Sequence, residues 1–435
     1  MVYKFFYLVL RGFHAVFFRA IYVIGQDRVN WSKPNLVAST HPNSFLDAVV
    51  FADSLKPPMH FLARGDVFKK GFVEWLFIRQ FNMIPIYRRE ETSDSSKKNK
   101  SIFRWVYRLL NERANVMIFS EGYSVPEKRV RPIKKGTAFM AFGAMEEYGT
   151  ELDVHIVPVG LNYPNHQERY EMVYIVIAEP IRVLDYWDLL KKSEAEGVKA
   201  ITQELSRRLK EVMIIIEEKE AEPLANLLLE MVRNDIADGH VYWLRHAPHK
   251  FTVEQNTANH INAVHANDPD EFRRLNDLRL RYEQKLQKHR LTDAGVSEGQ
   301  KIRMWERLVL IIGWFVFLPG QVLTFLPKRF GHWFVNKRKL KGSQWYLSIY
   351  YGLELVLFAI LFIISIILAF SKGGTLLGWI SIPALIFLSI GSERYLPLFF
   401  RWRRRIKWRW FKKRNPKEAA EVLTLREELK TQIQQ

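Results

Sequence analysis

The chain of 435 residues contains no cysteine. That excludes disulfides, thiolate metal sites and acyl-cysteine intermediates, and it fits a cytoplasmic setting. Acidic residues are missing from two stretches. Residues 327–345 hold six basic residues and no acid, and residues 401–414 hold nine and again no acid. These runs carry most of the formal net charge of +19, and both adjoin hydrophobic segments. Charge placed there points to anionic membrane lipids, and no nucleic-acid partner is expected. No small-residue cleavage site follows the apolar N-terminus, which argues against a secretory signal. Five histidines at the helical stretch 195–295 (His240, His246, His249, His260 and His265) show no convincing ligand spacing with a carboxylate, so no metal is expected.

What is present divides the chain into five regions. In residues 1–25, at 100° per residue, Lys4, Arg11, His14 and Arg19 fall within about 140° of one another. Phe5, Phe6, Val9, Phe13, Val16, Phe17 and Ile21 occupy the remaining arc. This predicts a helix lying in a membrane interface, with its basic residues toward the headgroups. Residues 26–220 alternate β-type runs with helical patterns. Strands are expected at 36–39, 59–63, 83–87, 115–119, 154–161 and 174–177, and helices near 45–54, 71–80, 100–112, 135–148 and 185–215. That alternation predicts an α/β sandwich around a mostly parallel or mixed sheet, with the polar segment 90–100 as a mobile loop.

A helical subdomain is expected over 221–300 and a membrane region over 301–400. Residues 308–326 are long enough to cross a bilayer. Pro319–Gly320 interrupts them and basic residues flank both ends, so a re-entrant or surface-lying pair is expected. Residues 350–370 and 375–398 read as two spans joined by a Ser-Lys-Gly-Gly turn, with both outer ends cytoplasmic. Glu354 and Glu393 lie near the span ends, within reach of the interface or a basic partner. Residues 401–435 read as a basic cytoplasmic tail that ends in an exposed helix or frays.

The stretch Asn35–Ala52 carries the residues of greatest chemical interest. His41 stands at a polar corner after a short apolar run, with Asp47 a few residues on. An imidazole beside a carboxylate makes a general base that works near neutral pH. The carboxylate fixes the tautomer and stabilises the imidazolium as a hydroxyl loses its proton. The same residues also read as a helix-capping turn, with Asn43 or Ser44 as the cap. Three further stretches follow: 81–90 ending in Arg88–Arg89, 115–142 with Phe119-Ser120-Glu121-Gly122 at a strand end, and 155–163 interrupted by Pro158. Taken alone, Arg88–Arg89 also reads as a solvated strand end and Glu121 as an ordinary cap.

Taken together, these blocks resemble the four sequence blocks of the glycerophospholipid acyltransferase superfamily, over about residues 10–220. That family includes bacterial enzymes that acylate glycerol-3-phosphate and lysophosphatidic acid. The resemblance implies the family's α/β acyltransferase fold, with His41 as general base and Asp47 as its orienting partner. Arg88 would meet the acceptor's phosphate, Glu121 and Gly122 would form the acceptor-binding corner, and Pro158 would mark the fourth block, linked to the acyl donor or to shaping the site. No cofactor is implied beyond acyl-CoA or acyl-carrier protein as co-substrate.

The implied activity is O-acylation of glycerol-3-phosphate or a lysophospholipid at the cytoplasmic face of the cell's inner membrane. A thioester is already activated, so a positioned base and a charge-stabilising pocket suffice. A phosphate calls for the bidentate fork of Arg. Arg88, Arg89, Lys128, Arg129, Arg131, Lys134 and Lys135 offer that charge. Two departures from the common pattern stand out. Five residues (Pro42 to Leu46) separate His41 from Asp47 where four are usual. Gly122-Tyr123-Ser124-Val125 stands where the family usually continues Gly-Thr-Arg-Ser. With the expected arginine missing, either a downstream basic residue replaces it or the acceptor is not the usual phosphate but a lyso-aminolipid or glycolipid precursor. A membrane scaffold that keeps the fold without turnover is a separate alternative.

Overall fold

Five consecutive buried residues, Asn35–Ser39, form a strand covered on both faces, the pattern that a strand inside an α/β layer requires. The computed structural model describes residues 2–55, 58–68, 71–87, 95–236, 247–297 and 301–431. The chain divides into two units, one of residues Met1–Met213 and Val335–Tyr351, the other of Ile214–Phe334 and Gly352–Gln435.

In chain order the first unit holds α1 (Val2–Phe17), β1 (Ala20–Ile24), β2 (Asn35–Ser39), α2 (Phe45–Ser54), β3 (Met59–Arg64) and α3 (Phe72–Trp75), which runs into a π-helical turn. There follow β4 (Met83–Ile86), α4 (Ser95–Asn111), β5 (Asn115–Phe119), α5 (Gly136–Tyr148), β6 (His155–Asn162), β7 (Met172–Ile177), β8 (Ile181–Arg182), α6 (Trp187–Lys192) and α7 (Glu194–Glu211). The strands form one sheet in the order β1-β7-β6-β2-β5-β3-β4, with β8 beside β6. Pairings are parallel except those of β6 with β7 and β8, so the sheet is mixed.

Successive strand residues point to opposite faces. Leu36, Ala38, Val116, Ile118 and Ile156 join a core with Val106 and Leu110 of α4, Ala141 and Met145 of α5, and Ile201 and Leu205 of α7. Val37, Met117 and Val157 face the other way and are equally buried. Each of the Val, Leu, Ile and Met side chains among them contributes about 1.5–3 kcal/mol through removal from water.

All six expected strands are present, and the structure differs around them in four respects. The expected helix over 1–25 stops at Phe17, and Ala20–Ile24 is an edge strand pairing with β7, as its β-branched and aromatic residues favour. His14, placed by helical spacing among the headgroup-facing residues, is instead 4% exposed, with Nδ1 3.0 Å from Asp53. Phe13 and Phe17 are buried beside Tyr351, at ring-centroid distances of 5.1 and 4.9 Å. The expected loop over 90–100 is helical from Ser95 onward, because Ile102, Val106 and Leu109 give α4 a stripe to bury. The helix expected over 185–215 breaks at Ser193, whose hydroxyl caps α7 by accepting the Glu196 N–H.

The second unit holds α8 (Glu222–Asp235), α9 (Ala247–Asn267), α10 (Pro269–Lys288), α11 (Asp293–Val296), α12 (Met304–Ile312), α13 (Trp314–Lys337), α14 (Tyr346–Arg414) and α15 (Pro416–Thr431). The last turn of α13 and the first turns of α14 belong to the first unit. α14 contains a window of mean hydropathy 3.0, long and apolar enough to cross a membrane, and is broken at Gly374, where φ is 71°.

The interruption expected at Pro319–Gly320 falls elsewhere. α12 and α13 meet at a 58° bend around Gly313, while Pro319 lies inside α13. Tyr395 stabilises the bend by donating its hydroxyl to the Leu310 carbonyl (2.9 Å), one of the carbonyls freed at the end of α12. Gly320 serves a close helix crossing instead, since a Cβ there would lie 2.2 Å from the Leu388 carbonyl oxygen.

The basic C-terminal run is partly internal. Arg401 pairs with Glu306 at 2.6 Å, and Arg405 donates to the carbonyls of Gly295, Val296 and Ser297. Glu393 pairs with Lys328 at 2.6 Å, the basic partner expected for it. Residues 416–431 are not a free tail. Ala419, Val422, Leu425 and Leu429 recur at helical spacing and are buried, and Arg426 beside them joins Asp235 and Asp293. Of the five histidines, His240 and His246 lie outside the described residues. Among the described residues, no three His, Asp or Glu side chains gather as metal ligands.

Candidate active site

Three neighbouring strands, β6, β2 and β5, run parallel to one another and end on the same edge of the sheet. Carboxyl ends of parallel strands are where α/β sheets place their ligand sites. His41 follows β2 by two residues, Glu121 follows β5 by two, and Tyr163 is the first residue after β6.

His41 Nδ1 lies 2.9 Å from Asp47 Oδ2. The His41 side chain is 17% exposed and that of Asp47 is 0% exposed, so the imidazole opens outward while its partner is sealed. Asp47 sits in the first turn of α2, where a carboxylate is favoured by the helix dipole. Its Oδ2 also accepts the Asn43 N–H at 2.8 Å, and its Oδ1 accepts the Tyr163 hydroxyl at 2.9 Å. Burial, followed by the adjacent Asp47 charge, pushes the Tyr163 hydroxyl well above its ordinary range, so it remains a donor. The His41 ring stacks on Phe119 at a centroid distance of 3.8 Å. With Nδ1 committed to Asp47 and the ring face to Phe119, Nε2 is the nitrogen left for a substrate proton.

Glu121 acts as a brace. Its Oε2 accepts the His41 backbone N–H (3.0 Å) and its Oε1 accepts the Arg131 backbone N–H (2.9 Å). Burial raises its pKa, while these two hydrogen bonds oppose the rise. Gly122 follows at φ 77°, a left-handed conformation that glycine adopts without the Cβ clash. The Arg131 side chain pairs with Glu127 at 2.8 Å and lies 5.5 Å over the Tyr123 ring, which brings one guanidinium of the expected basic run close to the Glu121 turn.

Pro158 is buried in β6 opposite Ala38, between the residues that pair with β8 and those that pair with β7. A proline without an N–H fits that gap in the ladder. Arg88, with its neighbour Arg89, lies outside the described residues. The structure therefore gathers His41, Asp47, Glu121 and Gly122 around one strand edge and sets Pro158 in the strand beneath.

Three participants carried no signal that the sequence reading used. Tyr163 ends the fourth block and Ser124 occupies the third block's divergent position, so each stood within a stretch already singled out. Ser348 lies 302 residues beyond Leu46, and only folding brings its hydroxyl to the Leu46 N–H (3.2 Å).

The family model described as Acyltransferase matches residues 20–162, the stretch that supplies His41, Asp47 and Glu121 to this edge. The match covers about a third of the chain. The chain is 33% identical over 113 residues to glycerol-3-phosphate O-acyltransferase 2 of Saccharomyces cerevisiae, a match that spans 26% of this chain and 15% of that protein. A solved structure, the 1-acyl-sn-glycerophosphate acyltransferase PlsC of Thermotoga maritima, aligns over 44% of this chain and 72% of its own at 19% identity and a TM-score of 0.33.

Proposed function

We propose that the protein is a membrane-associated O-acyltransferase that moves a fatty acyl group from acyl-CoA or acyl-carrier protein to a hydroxyl of glycerol-3-phosphate or a lysophospholipid. The observation that carries this reading is the 2.9 Å contact between His41 Nδ1 and a fully buried Asp47, beneath a partly open ring. In the reaction, His41 Nε2 takes the acceptor hydroxyl proton as that oxygen attacks the thioester carbonyl. The carbon–sulfur bond then breaks, and the proton passes to the departing thiolate. General-base assistance of this kind contributes about 10²–10⁴-fold. The apolar window of α14 supports attachment to the membrane where a lipid acceptor resides. The basic clusters 327–345 and 401–414 support a cytoplasmic-facing disposition at the inner membrane.

The test is release of free CoA from palmitoyl-CoA by the purified full chain, with glycerol-3-phosphate, lysophosphatidic acid and a lyso-aminolipid as separate acceptors. A thiol reagent reads the product without background, because the chain has no cysteine. Acceptor-dependent release supports the proposal. Absence of release with every acceptor, from both CoA and carrier-protein donors, rejects it.

A further inference from the structure

The turn between His41 and Asp47 carries backbone strain. Ser44 adopts φ 48° and ψ −136°, a region that residues with a Cβ seldom enter. Such strain persists only where surrounding groups hold it. Here two serine hydroxyls from distant parts of the chain do so. Ser124 Oγ accepts the Ser44 N–H at 2.8 Å. Ser348, fully buried in the first turn of α14, accepts the Leu46 N–H at 3.2 Å and donates its hydroxyl to the Asn43 carbonyl.

The held segment, Asn43 to Leu46, lies within the interval that is one residue longer than the family's usual spacing. Ser124 occupies the stretch where the third block departs from Gly-Thr-Arg-Ser. The two departures meet in one hydrogen bond. We infer that Ser124 and Ser348 are positioning residues that clamp the lengthened turn, so that Asp47 Oδ2 can accept from both the Asn43 N–H and His41 Nδ1. The inference that this clamp governs catalysis rests on the acyltransferase reading. The clamp itself does not.

The test pairs amide hydrogen exchange over residues 42–47 with steady-state acyl transfer, both on the full chain. Ser124→Ala and Ser348→Ala each speed exchange across the turn and lower kcat by about ten- to a hundredfold, the scale of a misplaced catalytic group, with KM for donor and acceptor little changed. Ser124→Thr, which keeps the accepting oxygen, restores protection and most of the rate. In a Ser44→Gly background, where glycine adopts the positive φ without strain, Ser124→Ala loses much less than in the native background. Unchanged exchange in both alanine variants overturns the clamp whether or not the protein transfers acyl groups. Faster exchange with full kcat in an active protein overturns its catalytic role. Equal losses from Ser124→Ala in the two backgrounds, or a Ser124→Thr protein as impaired as Ser124→Ala, also overturn it.

Discussion

The hydroxyl of Tyr163 donates to Asp47 Oδ1 at 2.9 Å, on the carboxylate oxygen that His41 does not use. One carboxylate thus receives three donors from two segments: the imidazole and the Asn43 amide of its own turn, and the phenol at the end of β6. Each donor restrains the carboxylate in a different direction, which leaves the imidazole one orientation in which to meet it.

His41→Ala removes the proposed base while the buried Asp47 keeps its Asn43 and Tyr163 donors. The expected result is a fall in kcat of at least about 10² with the thermal transition nearly unchanged. Near-native turnover in this variant contradicts the general-base assignment.

Tyr163→Phe leaves Asp47 Oδ1 without its donor in a sealed site. A hydrogen bond to a charged group contributes about 1.5–3 kcal/mol, and that is the expected loss of stability. Because the imidazole is then held less firmly, kcat falls more than KM rises. A thermal melt and steady-state kinetics on the same preparation read both effects.

Glu121→Gln is not a mild change here. Both carboxylate oxygens accept backbone N–H groups, whereas an amide offers one acceptor and one donor. One of the two amides, of His41 or Arg131, would face another donor. Lower stability and slower transfer are expected, with Glu121→Asp also impaired because its shorter side chain cannot span both amides. A Glu121→Gln protein that melts and turns over like the native one would show that the brace is dispensable.

Arg426 is 3% exposed and joins Asp293 at 2.7 Å and Asp235 at 2.8 Å. Arg426→Ala leaves the buried Asp293 without its cationic partner, while Asp235 keeps Lys430 at 3.0 Å, and is expected to destabilise the helical unit by about 3–5 kcal/mol. Burial works to raise the Asp235 pKa, but bonds from Arg426, Ser297 and Lys430 outweigh it and hold the pKa below the ordinary carboxylate value of 3.8. A lowered carboxylate pKa stabilises the fold above the unfolded value, and that contribution is lost as pH falls through the folded one. The native unit should therefore lose stability steeply below about pH 4, and the Arg426→Ala unit less steeply. Melting temperatures of both proteins from pH 7 to pH 3 test this.

Ile363 and Ile367 are 56% and 59% exposed on α14. If α14 lies in lipid, an Asp at each position costs about 2.5–3.5 kcal/mol near the centre of a span. The Ile363→Asp, Ile367→Asp protein should pass from the membrane pellet to the supernatant on alkaline extraction, or fail to insert. Unchanged membrane retention would count against α14 as the anchor.

Much of the sheet was legible because strands such as Asn35–Ser39 and Asn115–Phe119 announce themselves through short apolar runs bounded by polar corners. Those corners also exposed His41 and Glu121. What escaped the sequence depended on partners. His14 shares a helical arc with Lys4 and Arg11, yet Asp53 draws it into the interior. The break expected at Pro319–Gly320 lies at Gly313, because Tyr395 satisfies the carbonyl released there.

The residue types along the chain determined on their own the alternation of strands and helices, the imidazole and carboxylate on one turn, the missing thiols and the apolar length of α14. These are properties of local order, set by side-chain period, turn chemistry and composition. Tertiary structure alone decided that Tyr163, Ser124 and Ser348 converge on that turn. Their hydroxyls reach the two sides of a corner only because β6, the loop after β5 and the first turn of α14 end beside it, and no spacing along the sequence records where chain ends meet in space.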